Sequence, residues 1–121
     1  MNLTIDANSP LPVYQQIMQA IKLEILSGGL RDNDPLPSIR DLAKLLRVNP
    51  NTVAKAYYAL EAEGFSEGRT GSGSRVKAPA GRQDALRRAM LEGELRAFLE
   101  KAVALGFFAD DVTKMIARVG Q

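Results

Sequence analysis

The chain has 121 residues, a net charge of +2, 45% hydrophobic and 25% charged residues, and neither Cys nor His. That balance fits a globular protein of ordinary composition and argues against disorder along the whole length. It also excludes disulfides, zinc sites built from Cys and His, and nucleophilic catalysis that relies on Cys or His.

Pro12 suits the first turn of a helix, where its missing N–H leaves no bond unmade. Tyr14, Ile17, Met18, Ile21 and Ile25 then recur at steps of three and four on one face. Gly28 and Gly29 stop that helix. Leu30 to Pro37 reads as a turn-rich connector. Ser38 caps a short second helix, with Asp41 three residues on as a variant capping box. Its inward face is Ile39, Leu42, Ala43 and Leu46.

Arg47 and Val48 make a brief turn, and Asn49 caps a third helix with Pro50 at its first position. Val53, Ala56, Tyr57 and Leu60 form the buried face, Tyr58 is a half-exposed packing residue, and Gly64 ends the helix. Two helices separated by about three residues have helix-turn-helix spacing. The period then changes. Phe65-Ser66-Glu67 and Ser74-Arg75-Val76-Lys77 read as two short strands around a Gly-rich tip, which is a wing.

Ala78 to Gly81 marks a boundary. Beyond it, Leu91, Leu95, Phe98, Ala102 and Leu105 step by four, three, four and three, a heptad seam. Leu86 and Met90 add a second apolar row. Gly106 ends this helix, and Asp110 or Asp111 opens another, with Val112, Met115, Ile116 and Val119 on one face; Phe107 and Phe108 are read as core of the hairpin between them. A helical pair this short cannot bury both apolar faces alone. Leu91, Leu95, Phe98, Ala102, Leu105, Val112, Met115 and Ile116 are therefore assigned to pairing with a second copy. Docking on the chain's own N-terminal part is the competing solution.

The expected fold is mainly α with a small β wing. A winged helix-turn-helix spans 1–78, and a two-helix dimerisation hairpin spans 79–121. Each part is close to neutral, with nine Lys/Arg against eight Asp/Glu and seven against six. Between Ser38 and Lys55, however, Arg40, Lys44, Arg47 and Lys55 face only Asp41. The second helix of a helix-turn-helix enters the major groove by its N-terminal end, here Asn49, Asn51 and Thr52, with Lys55 one turn on. Asn can bond adenine at two atoms and Thr can offer its methyl to thymine. The free N–H groups and positive dipole end of that helix suit a phosphate. Arg40 and Lys44 would lie near the backbone crossed by the preceding helix, and Arg69 at the wing tip would reach the minor groove. For Asn49 the cap role outweighs base contact.

Two segments carry a family resemblance: Leu36-Pro37-Ser38-Ile39-Arg40-Asp41-Leu42-Ala43, and Val48 to Tyr57 continuing to Leu60-Glu61-Ala62-Glu63-Gly64. With Pro12 to Ile17 and Gly71-Ser72-Gly73-Ser74, they resemble the GntR family of bacterial regulators, from about Pro10 to Lys77. The short tail is similar to its YtrA branch, whose dimerisation region is two helices. The resemblance implies DNA contacts at Arg40, Asn49, Asn51, Thr52, Lys55 and Gly71. It further implies a repressor of its own operon and of an adjacent transporter operon. Two departures stand out. Pro50 occupies a position where many relatives outside this branch have arginine. Arg75 replaces an aromatic in the wing and adds a charge beside the expected DNA.

The expected partners are double-stranded operator DNA and a second copy. No metal or other cofactor is called for, and there is room for a small-molecule effector that the residues do not name. With no basic, apolar leader in Met1 to Ser9 and no long apolar run, the expected placement is cytoplasmic, with no membrane span. A competing class is a winged helix that binds another protein instead of DNA; the basic bias of Arg40 to Lys55 argues against it. Catalysis is not expected. Glu61 and Glu63, two apart, point to different sides of a helix, Asp110 and Asp111 read as helix-start acids, and the glycines at 68, 71 and 73 lack the lysine of a phosphate loop.

Overall fold

The computed structural model describes residues 3–69, 73–78 and 83–120. The chain divides into two compact units, Met1–Gln83 and Asp84–Gln121. The first holds α1 (Val13–Ser27), α2 (Ile39–Leu46), α3 (Pro50–Ala62), β1 (Ser66–Arg69) and β2 (Gly73–Val76). After these come α4 (Gln83–Ala104) and α5 (Ala109–Val119).

In the first unit α3 packs against α1, α2 and β1. Ile17, Ile21, Leu42, Val53, Ala56 and Leu60 are fully excluded from solvent, and Ile25, Leu26, Leu36, Phe65 and Val76 complete the core. Each large aliphatic among them contributes about 1.5–3 kcal/mol by leaving water. The four residues expected on the inner face of α3 are all buried. Tyr14, Ile39 and Leu46, expected on inner faces, are only half-buried. Pro12 stands one place earlier than expected, as the N-cap of α1; its carbonyl accepts the first ladder bonds from Gln15 and Gln16.

Three helices end alike. At α3, Gly64 (φ 84) donates to Glu61 O and Phe65 to Leu60 O. At α4, Gly106 (φ 90) donates to Val103 O and Phe107 to Ala102 O. At α2 the left-handed position is held by Arg47 (φ 57), with Val48 donating to Ala43 O. This paired bonding satisfies carbonyls that the helix leaves open.

In the wing β1 starts one residue later than expected and runs two residues further, β2 lies one residue earlier than expected, and the register runs from Ser66↔Val76 to Arg69↔Gly73. Phe65 is not a strand residue because its N–H closes α3 and its ring enters the core. The connector before α2 is more than a turn. Asn33 donates to Val76 O (2.7 Å), Val76 to Asp34 O (2.8 Å) and Leu36 to Ser74 O (3.0 Å), so this segment lines the outer edge of β2. Pro35, opposite Arg75, sits where no N–H is required.

In the second unit α5 begins at Ala109, ahead of the expected Asp110 or Asp111. Asp111 serves instead as a third-position acid, its carboxylate accepting the Phe108 N–H at 2.9 Å. Ala102 and Val112, assigned to pairing with a second copy, are buried within the chain, while Leu91, Leu95, Phe98, Leu105, Met115 and Ile116 are exposed. The small Ala102 lies where the Schellman turn folds back, so burying it needs no partner. Phe107 and Phe108 were expected in the hairpin core, yet both are exposed. No helix among the described residues is long and apolar enough to cross a membrane.

Candidate nucleic-acid interface

The start of α3 is built from Asn49 and Pro50. Asn49 Oδ1 accepts the Asn51 N–H at 2.8 Å, while its carbonyl accepts from Thr52 (2.9 Å) and Val53 (3.4 Å). Pro50 has no N–H. Every N–H in the first turn of α3 is therefore satisfied internally, and the expected free donors for a phosphate are absent there. The positive end of the helix dipole remains. Asn49 acts as a cap, with its carboxamide oxygen engaged.

Asn51 and Lys55 are exposed and Thr52 is half-buried. Asn51, Lys55 and Tyr58 follow one another at steps of four and three, so they lie along one line of the helix. That line is opposite the buried Val53, Ala56, Tyr57 and Leu60. Tyr58 is 70% exposed, not the packing residue expected. The step of three from Lys55 was the signal that could have placed it on the outward face. The Lys55 ammonium rests 4.1 Å from the centre of the Tyr14 ring of α1, which holds this side chain toward α1 by cation–π attraction.

On α2, the Ser38 hydroxyl accepts the Asp41 N–H at 3.0 Å. This cap fixes the first turn, which carries Arg40; Lys44 follows four residues later on the same face. Both are exposed, and neither forms an ion pair among the described residues. An arginine free of a carboxylate keeps its planar fork available for phosphate or guanine.

Arg69 is the last residue of β1, opposite Gly73. Gly71, expected at the wing tip, lies outside the described residues. Arg75, which was expected to add a charge near DNA, has its guanidinium beside the connector that lines β2. Its guanidinium donates to Asn33 O at 3.4 Å, and its Nε is buried without a hydrogen-bond partner.

The two carboxylates near the end of α3 point apart, as their spacing requires. Glu61 accepts the Gly68 N–H of β1 at 3.0 Å. Glu63 pairs with Lys22 of α1, whose ammonium also lies 5.3 Å from the Phe65 ring. Both carboxylates thus join elements of the fold. No group of three or more His, Cys, Asp or Glu able to hold a metal occurs among the described residues.

Residues 13–76, from α1 through β2, match the family described as bacterial regulatory proteins, gntR family. Over 74 residues the chain is 45% identical to the HTH-type transcriptional repressor YtrA of Bacillus subtilis. That alignment covers 61% of this chain and 57% of the relative, little more than half its length. A solved GntR family transcriptional regulator from Listeria monocytogenes is similar over 94% of this chain and 98% of its own, with TM-score 0.76 and 27% identity. The solved AraR(DBD) in complex with operator ORX1 is similar over 63% of this chain and 98% of its own, with TM-score 0.57 and 25% identity.

Proposed function

The chain belongs to the gntR family of bacterial regulatory proteins, transcription regulators and not enzymes, and from that premise we propose that it is a repressor that binds a palindromic operator as a homodimer. The observation that carries this reading is the division of α3. Val53, Ala56, Tyr57 and Leu60 anchor it in the core, while Asn51, Lys55 and Tyr58 stand outward. An anchored helix with a polar outer line can enter a major groove without unfolding anything.

In this reading residues 1–78 form the DNA-binding domain. Asn51 and Thr52 face base edges, Asn49 holds the helix start, and Lys55 and Lys44 supply phosphate contacts. Arg40 grips a guanine or a phosphate with two parallel bonds. Arg69 and Gly71 take the wing to the minor groove. The similarity to a repressor and to a protein solved on its operator supports this assignment.

Residues 79–121 form the dimerisation region. Leu91, Leu95, Phe98, Leu105, Met115 and Ile116 are large, apolar and exposed. A row of that kind on a short helical unit needs a partner surface. Two-fold pairing places two copies of α3 in successive major grooves, roughly 34 Å apart or a small multiple of that. The proposed targets are its own operon and an adjacent transporter operon, in the cytoplasm where that DNA lies.

The test is selection of duplexes from a random-sequence library by the purified protein, followed by gel-shift titration and light scattering. The expected result is a palindromic consensus bound by a dimer, with affinity falling steeply as salt rises. No retained duplex at low salt would overturn the reading in favour of a protein-binding winged helix.

A further inference from the structure

The wing hairpin has two outer edges, and both are occupied. The segment Asn33 to Leu36 bonds along the outer edge of β2. On the other side, the Lys77 N–H donates to Phe65 O at 2.9 Å just before β1, and by alternation from that bond Glu67 and Arg69 are the inward-bonding positions of β1. The Gly68 N–H therefore points out of the hairpin. Left alone it would be an open strand edge. It instead donates at 3.0 Å to Oε1 of Glu61, in the last turn of α3. A Cβ built on Gly68 would lie 3.4 Å from Oε1 and 3.8 Å from Oε2, so the carboxylate lies directly against the glycine backbone.

We infer that Glu61 is a positioning residue for DNA recognition: its carboxylate ties β1 to α3, so that the wing and the major-groove helix meet the duplex in one fixed relationship. A bond between an ionised acceptor and a backbone N–H is of the stronger kind. Gly68 directly precedes Arg69, so the tie acts one residue from the charge proposed to enter the minor groove. Without it the hairpin keeps its register but gains freedom relative to α3, and that freedom must be lost on binding. The inference rests on the proposed wing contact.

The experiment uses the full chain and the duplex that the wild-type protein selects from a random library. Glu61→Ala is expected to bind about fivefold more weakly, roughly 1 kcal/mol. Glu61→Gln, which keeps an oxygen at the same reach, should stay within about twofold of wild type. Glu61→Asp retains the charge but withdraws it by one methylene, and should behave as the alanine variant even if that variant folds poorly. The readout separating positioning from simple stability is a double-mutant cycle with Arg69→Ala. That change should weaken the wild type about fivefold but the Glu61→Asp protein by less than about twofold. Equal losses in both backgrounds, or Glu61→Asp binding like wild type, overturn the inference. Arg69→Ala without effect in the wild type overturns the wing contact itself, and the inference with it.

Discussion

The Tyr57 phenol donates a 2.7 Å hydrogen bond to the carbonyl of Pro37. Tyr57 belongs to α3, and Pro37 immediately precedes the cap of α2, so one bond spans the helix-turn-helix from its third helix to the start of its second. Tyr57→Phe removes the donor and leaves a carbonyl short of a partner. The expected cost is about 1 kcal/mol. It should appear as a midpoint lower by roughly 4–8 °C in thermal unfolding.

The same residue predicts a difference at high pH. Burial pushes the Tyr57 phenol well above its usual value of 10.0. The folded state therefore holds this proton more tightly than the unfolded chain does. Its contribution to stability is complete below about pH 10 and is lost as pH rises above that, where unfolding releases the proton. Denaturant titrations from pH 8 to 11 should show a shallower alkaline decline for Tyr57→Phe than for wild type.

Asn49 offers a way to separate structure from recognition. Asn49→Ala should cost about 1 kcal/mol of stability by removing the cap on Asn51, whereas Asn49→Ser restores an acceptor and should cost far less. The serine variant is also expected to bind operator nearly as wild type does, because the oxygen of Asn49 is already engaged. A loss of tenfold or more in a gel shift with a normal melting curve would return Asn49 to the base-contacting set.

For Arg40, exposed and without an ion pair among the described residues, the expected loss on Arg40→Ala is about 1–3 kcal/mol of operator affinity. A loss restricted to one base position marks guanine contact. An equal loss on all sequences, with a shallower salt slope, marks phosphate contact. Lys55→Ala should act on affinity and also release Tyr14, with about 0.5 kcal/mol of stability lost.

On the tail, Phe98→Glu sets a charge into the exposed apolar row that includes Leu91, Leu95 and Leu105. Burying that charge unpaired in a dimer is expensive. The variant should sediment as a monomer at concentrations where the wild type is a dimer, with operator affinity falling in parallel. A dimer of unchanged stability would move the pairing surface elsewhere.

Much of this arrangement was legible in the residues. Ser38 and Asn49 announce their caps, the spacing of Val53, Ala56, Tyr57 and Leu60 marks the buried side of α3, and Gly64 and Gly106 mark where helices stop. Less visible was Arg47, which takes a left-handed conformation at a position where glycine is usual. The third line of the wing, Asn33 to Leu36, was hidden because prolines at 35 and 37 read as a turn and the partner Val76 lies far along the chain. Glu61, weighed in the sequence only as a carboxylate that could not act with Glu63, was hidden for the same reason: nothing local predicts that a helix-end carboxylate meets Gly68.

Local chemistry in the sequence determined where helices begin and end and which side of each is apolar, because caps, glycines and a period near 3.6 act within a few residues. Tertiary structure decided what depends on contacts between distant segments. It placed the connector beside β2, set the Arg75 guanidinium against the Asn33 carbonyl, set Lys55 over Tyr14 and joined Glu61 to the wing. Those choices depend on which surfaces the packed helices bring together, and no spacing along the chain encodes that.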